Sequence, residues 1–282
     1  VADKNNNINN IMRHVIIFIL LIASAGCKFS REQTDIPVSN PDIRIVKEYY
    51  PDGSLKSETE AKGTLRHGIT KVYSESGKLV SEISYVNNLR HGKTVTYYDE
   101  GNVSSEINYM NGLKEGDAIK YYPSGQIYRI TPYSRNSVNG TVKTYWEDGI
   151  LKAEALFKNG QPGIGLKEYT HTGVLKKMDA AIIVREIDEI AMLSRLTLRI
   201  TLSSGSKNVE FFRGRLTDNI YWNDQVEIIV TKDGQGNLVY YVSRGSVVVE
   251  TVNIIARIKT SLDNYYIIQK EYNLAAENKS IP

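Results

Sequence analysis

The sequence predicts an all-β protein: an elongated open antiparallel sheet of 24-residue hairpin repeats, followed by a β-sandwich-like domain. Three observations carry this. Six glycines, Gly53, Gly77, Gly101, Gly125, Gly149 and Gly173, stand 24 residues apart with no insertion. Each lies four residues after a tyrosine (Tyr49, Tyr73, Tyr97, Tyr121, Tyr145, Tyr169) and two before an aliphatic (Leu55, Leu79, Val103, Ile127, Leu151, Leu175). Beyond Lys177 the period stops, and short β-branched runs separated by turn residues take over. A fixed period of this length marks a stacked architecture in which each unit buries its apolar face only against its neighbours.

In chain order, residues 1–26 read as a leader and signal peptide. Val1 to Asn10 is Asn-rich and fits no targeting pattern. Met12-Arg13-His14, the apolar run Val15 to Ile22 and the small residues Ala23-Ser24-Ala25-Gly26 have the order of a basic region, an apolar region and a processing site. Met12 is the expected start. The apolar run is too short to span a bilayer, which takes about 20 residues. Cys27, the single cysteine, follows directly. Its setting resembles a bacterial lipobox, whose cysteine becomes the acylated N-terminus; Ser24 stands where that pattern has leucine. Ordinary cleavage after Ala25 would instead leave Cys27 a free thiol. Lys28 resembles the residue after the cysteine in lipoproteins sorted to the outer membrane. Residues 27–48 are therefore expected to be the lipidated N-terminus and a polar tether containing Pro37 and Pro41.

Residues 49–178 hold five and a half repeats. The leading turns read YYPDGSL, YSESGKL, YYDEGNV, YYPSGQI, YWEDGIL and YTHTGVL. The invariant glycine suits the left-handed position of a three- to five-residue hairpin loop. A strand with period-2 alternation leaves each turn; Leu79, Ser81, Ile83 and Tyr85 share one face in the second copy. A second turn follows at Asn87-Asn88, Asn111-Gly112, Arg135-Asn136 and Asn159-Gly160, residues that tolerate a type I′ hairpin. The chain then returns through a second glycine series, Gly68, Gly92, Gly116 and Gly140, with Gly163 and Gly165 flanking its fifth position. Each repeat is thus two antiparallel strands, and five repeats stack to roughly 50 Å at about 4.8 Å per strand. The period aligns Tyr73, Tyr97, Tyr121 and Tyr145 in one ladder and Tyr85, Tyr109, Tyr133 and Phe157 in another.

YYPDGSLKSE, YSESGKLVSE and YYDEGNVSSE, each followed by a turn and then RHG, RHG or KEG, resemble the bacterial variant of the MORN repeat. The fourth copy departs most, with Ile130 in place of the recurring Glu58, Glu82, Glu106 and Glu154. The resemblance implies a hairpin-built open sheet used for binding or scaffolding. Bacterial relatives carry an antitoxin-like label.

Residues 179–282 form the second expected domain. Ala180, Ile183, Val184, Ile187, Ile190 and Ala191 suit a helix or a strand. LTLRITL, NVEFFRG, QVEIIVT, LVYYVS, VVVETVNIIARIKT and NYYIIQKEY read as strands. Six or seven short strands in this length suggest a β-sandwich, with an immunoglobulin-like arrangement one form of it. Packed after the truncated sixth repeat, it would cap the array's edge.

No catalytic constellation is legible. His67 and His91 are equivalent turn positions, and later copies have Glu115, Asn139 and Gly163 there, too few ligands for a structural zinc. The glutamate ladder, with Lys56, Lys78 and Lys152 nearby, reads as a solvated, charge-balanced face. No Walker loop, G-x-S-x-G elbow or dinucleotide fingerprint is present. The expectation is a non-enzyme with no cofactor and no metal. With 35 basic and 32 acidic residues, a net +3, there is no electrostatic case for nucleic acid. Adjacent tyrosines on a strand face opposite sides, so Tyr50, Tyr98, Tyr122 and Trp146 are the candidate exposed aromatics for a protein partner. The functional expectation is a lipid-anchored cell-envelope protein, in the outer membrane, that binds or scaffolds another protein. An immunity or antitoxin-type protein and a surface glycan-binding protein are the alternatives.

Overall fold

The computed structural model describes residues 42–279. Cys27, the signal peptide and most of the expected tether lie outside the described residues. The repeat region begins earlier than expected: β1 (Ile43–Tyr49) is a strand at the end of the stretch read as tether. It precedes β2 (Leu55–Lys62), β3 (Leu65–Tyr73), β4 (Leu79–Val86), β5 (Leu89–Tyr97), β6 (Val103–Met110), β7 (Leu113–Lys114) and β8 (Gly116–Tyr121). Then come β9 (Ile127–Ser134), β10 (Ser137–Val138), β11 (Gly140–Tyr145), β12 (Leu151–Lys158), β13 (Gln161–Pro162) and β14 (Lys167–Glu168). These make one 14-stranded antiparallel sheet in sequence order, with the short β7, β10 and β14 pairing with β6, β9 and β12.

Both turns of the repeat close as the residue types require. In the leading turn, Gly77 at φ 78° donates its N–H to Ser74 O (2.9 Å), and Ser74 N–H donates to Lys78 O (2.8 Å). In the far turn, Asn87 and Asn88 sit at φ 49° and 69°, as a type I′ hairpin demands. The far turn also docks on the preceding repeat: Asn88 N–H donates to Arg66 O (2.9 Å), and Arg66 N–H donates to Asn88 Oδ1 (2.8 Å). Adjacent hairpins are thereby stapled at their tips as well as along their edges.

A β-bulge recurs beside each leading turn and changes one expectation. Val72 pairs with Ser81, yet Tyr73 pairs with Leu79; the same slip occurs at Glu48/Tyr49, Thr96/Tyr97, Lys120/Tyr121 and Thr144/Tyr145. The extra residue reverses the alternation. Leu79 therefore shares a face with Tyr73, opposite to Ser81, Ile83 and Tyr85. One face carries the leading tyrosines, the aliphatics and the glutamates. The other carries Ser57, Thr70, Ser81, Thr94, Ala118, Val142 and Ala153, all buried.

The C-terminal part is built from β15 (Ile182–Glu189), the single-turn α1 (Ile190–Leu193), β16 (Arg195–Leu202), β17 (Val209–Arg213) and β18 (Glu227–Ile229). β19 (Thr231–Lys232), β20 (Gln235–Tyr241), β21 (Val247–Lys259) and β22 (Tyr265–Glu277) complete it. The segment with helix-or-strand character resolves mostly as strand. Two four-stranded sheets, β15-β16-β20-β19 and β18-β17-β21-β22, face each other. Alternating Leu196, Leu198, Ile200 and Leu202 on β16 meet Phe211, Val252, Ile254, Ala256 and Leu274 in one core. Counted as one strand that crosses between sheets, Glu227–Lys232 gives the order A-B-E-D over D-C-F-G, the strand order of immunoglobulin-like sandwiches.

The C-terminal edge of the repeat sheet is covered by this sandwich. Ile164 N–H donates to Ile220 O (2.9 Å) and Trp222 N–H donates to Pro162 O (2.8 Å), so residues 217–222 continue the sheet past β13. Gly163 allows the approach: a Cβ there would stand 3.0 Å from Tyr221 Cδ1. Ile164 enters a small apolar cluster with Phe212, Leu216, Trp222, Ile255 and Ile267. The carboxylate of Glu168, 2% exposed, accepts hydrogen bonds from Thr260 Oγ1 (2.6 Å) and Asn264 Nδ2 (2.7 Å) in the β21–β22 turn, with Lys176 Nζ at 3.7 Å.

Candidate binding face of the repeat sheet

The Ser/Thr/Ala face forms a trough. Over the first repeats it encloses about 540 Å³, floored by Ser57, Thr59, Ala61, Thr70, Val72 and Ile83 and rimmed by Arg44, Glu48, Lys56, Arg66 and Asn88. Ser57, Ala61 and Thr70, with their short side chains, keep the floor low between these rims. Thr70 and Thr94 are each 7% exposed, and their hydroxyls have no hydrogen-bond partner. An unpartnered buried hydroxyl costs about 1–3 kcal/mol, so these two positions lower the stability of the sheet. At the far end, a 210 Å³ pocket lined by Val142, Ala153, Ala155 and Phe157 is closed by Asp263, Asn264 and Tyr265 of the sandwich.

One rim is a cation–aromatic ladder. Arg66 lies 4.4 Å from the Tyr85 ring centroid, Arg90 5.2 Å from Tyr109 and Lys114 4.9 Å from Tyr133. Arg66 and Arg90 also donate to the hydroxyls of those tyrosines, each at 3.2 Å. None of these cations is among the site residues expected from the sequence. Their signal was present in the period itself, since Arg66, Arg90 and Lys114 stand 24 residues apart in RHG, RHG and KEG.

The other rim contains the aromatic column expected to be exposed. Tyr50, Tyr98, Tyr122 and Trp146 are half-buried instead. Tyr50 hydroxyl donates to Tyr73 O (2.8 Å), Tyr98 hydroxyl to Tyr121 O (2.6 Å) and Tyr122 hydroxyl to Tyr145 O (2.9 Å). Trp146 stacks on His171 with centroids 3.6 Å apart, and Lys152 Nζ lies 4.3 Å from its ring. The physical reason is local. These residues sit past the strand end, at the corner of the leading turn, where the two-residue alternation no longer governs direction. Each ring leans along the stack and caps the next repeat.

The opposite face is a charge ladder. Lys47–Glu58 (2.8 Å), Lys71–Glu82 (3.8 Å), Lys93–Glu106 (2.8 Å) and Lys143–Glu154 (4.0 Å) pair across strands. The lysines come from the facing strand, and not from Lys56, Lys78 or Lys152. Hydrogen bonding to Glu58 raises the Lys47 pKa and hydrogen bonding to Glu106 raises that of Lys93. Tyr97 hydroxyl donates to Glu82 at 2.9 Å; burial first, then that bond, raises its pKa. In the fourth repeat the charge pair is replaced by Ile119 opposite Ile130. His67 Nδ1 and His91 Nδ1 face Asn87 Oδ1 (3.2 Å) and Asn111 Oδ1 (3.3 Å), as turn residues. Among the described residues, no group of three His, Cys, Asp or Glu is placed to hold a metal ion.

No curated protein matches the chain. Residues 45–62, 66–87, 90–111, 114–135 and 138–159 each match the family model of the MORN repeat variant. Those five segments cover the hairpins from β1 to β12, so residues 45–159 of this chain are a repeat array similar to the MORN repeat variant.

Proposed function

We propose that the protein is a lipid-anchored, non-catalytic component of the cell envelope, sited in the outer membrane, that holds an extended segment of a protein partner in the trough of its repeat sheet. The observation that carries the binding reading is the open trough itself, about 540 Å³ over the first repeats, with Ser57, Thr59, Ala61 and Thr70 at its floor. Lys56 and Arg66 on the rim favour an acidic segment. The anchor rests on Cys27 directly after Ala25-Gly26.

The test is made in the host, with the full gene. Palmitate labelling and fractionation compare wild type with Cys27→Ala; an unlabelled, soluble wild type sinks the anchor. Cross-linking then compares Lys56→Glu/Arg66→Glu with Lys71→Glu/Lys93→Glu on the opposite face. Loss of the cross-linked partner in the first variant alone supports the trough, and equal capture by both refutes it. Alanine at Tyr98, Tyr122 and Trp146 is a poor probe, because those side chains hold the repeats together.

A further inference from the structure

The two ends of the repeat sheet are treated differently. The C-terminal edge is continued by residues 217–222, whereas nothing among the described residues pairs with the outer side of β1. That side is sticky: Ile45 is 56% and Tyr49 57% exposed. Natural sheets seldom leave such an edge bare.

The backbone phase of β1 follows from the leading turn. Tyr50 N–H donates to Ser54 O within the hairpin, so Tyr50 points its polar groups inward. Alternation then turns those of Glu48, Val46 and Arg44 inward too, and leaves those of Ile43, Ile45, Lys47 and Tyr49 outward. The strand spans Ile43–Tyr49, and its midpoint is Val46. Two copies laid antiparallel about Val46 join every outward group: Ile43 pairs with Tyr49 and Ile45 with Lys47, on both sides of the two-fold. The same register sets Arg44 opposite Glu48 twice. Arg44 makes no ion pair among the described residues, whereas Lys47 already has Glu58 on the other face. A register shifted to centre on Lys47 would place like charges face to face.

We infer that β1 is the interface with a second copy of this chain, paired antiparallel about Val46 and locked by reciprocal Arg44–Glu48 contacts. The two sheets become one, and because Arg44 and Glu48 rim the trough, the troughs of the two copies meet at the axis. This inference stands apart from what the trough holds.

The parent for the experiment is the full chain carrying Cys27→Ser, which removes the lone thiol and the proposed anchor together. Equilibrium sedimentation should give twice the 31.8 kDa chain mass. Arg44→Glu and Glu48→Arg should each sediment as monomers that still unfold in one cooperative thermal transition, with any fall in midpoint limited to the stabilisation that association supplies to the parent. Mixed one to one, they should return to the doubled mass, since every opposed pair is then of opposite sign. In a second measurement, Val46→Cys should form a disulfide-linked dimer on oxidation. Non-hydrogen-bonded opposed residues have Cα atoms about 4.5 Å apart, within the roughly 4.4–6.8 Å range of disulfides. A monomeric parent, single variants that stay dimeric, a mixture that stays monomeric, or no cross-link at Val46→Cys would each overturn the inference. A monomeric parent would assign the edge to another occupant, such as the chain's own N-terminal segment.

Discussion

Replacing Glu168 with alanine should uncouple the repeat sheet from the sandwich while leaving both cores intact. The carboxylate is 2% exposed and accepts two short hydrogen bonds, from Thr260 Oγ1 at 2.6 Å and Asn264 Nδ2 at 2.7 Å. Hydrogen bonds to a charged group contribute about 1.5–3 kcal/mol each. Against this stands the cost of burying the charge, several kcal/mol after relaxation. Truncation relieves that cost, but strands Thr260 and Asn264 without their acceptor beside Lys176. Breaking buried pairs from one side loses about 3–5 kcal/mol in comparable cases, so about 3 kcal/mol is expected here. The loss belongs to docking, and a repeat array depends on its end cap. Single-tryptophan backgrounds report the two parts separately, Trp146 the array and Trp222 the sandwich. Urea unfolding of the parent should show one transition at both sites. In Glu168→Ala the Trp146 transition should move earlier by about 1 M or more, using slopes of about 1–3 kcal/mol/M, and separate from that of Trp222. Glu168→Gln, which keeps an acceptor and the shape, should lose less. Coincident transitions within about 0.5 kcal/mol of the parent would refute the latch.

The half-buried aromatic column should behave as scaffold: Tyr98→Phe and Tyr122→Phe each remove one hydroxyl-to-carbonyl bond and should cost about 1 kcal/mol apiece in urea unfolding, with alanine at the same sites costing more. At Gly68, φ is 112° and an added Cβ would stand 2.8 Å from Glu60 Cβ; Gly68→Ala should destabilise by about 1–3 kcal/mol, read by the shift in thermal midpoint. Hydrogen bonding to Glu186, then burial, pushes the Tyr272 pKa up to about 12, above the roughly 10 of the unfolded chain. Between these values the unfolded state holds fewer protons, so stability falls with rising pH. This contribution is complete below pH about 10 and gone above about 12; Tyr272→Phe should flatten that part of a denaturation series run from pH 9 to 12.

The repeat was legible because its signals are short-range. Glycine at each leading turn and Asn-Asn, Asn-Gly or Arg-Asn at the far turns fix hairpin geometry within a few residues, and the 24-residue spacing multiplies one weak signal into a strong one. The β-bulge was not legible. It turns on whether Val72 faces Val80 or Ser81, a register choice made between strands, and it overturned the grouping of Leu79 with Ser81. The ion-pair partners were missed for the same reason: Lys56 is close to Glu58 along the chain, whereas Lys47 is close across the ladder. β1 escaped because no far turn or second-series glycine precedes it, so only its end at Tyr49 carries the period.

The sequence by itself determined the unit: a tyrosine, a turn, an alternating strand, a second turn, and their exact-length repetition, along with the change to a different β architecture after Lys177. Hydrophobic alternation and left-handed turn residues act through neighbours in the chain, so they can be read from it. Only the tertiary structure decided which face became the trough, which aromatics were spent on holding repeats together, and which edge the sandwich covered. Those outcomes depend on cross-strand register and on contacts such as Glu168 with Asn264, between residues whose distance along the chain carries no trace of their meeting.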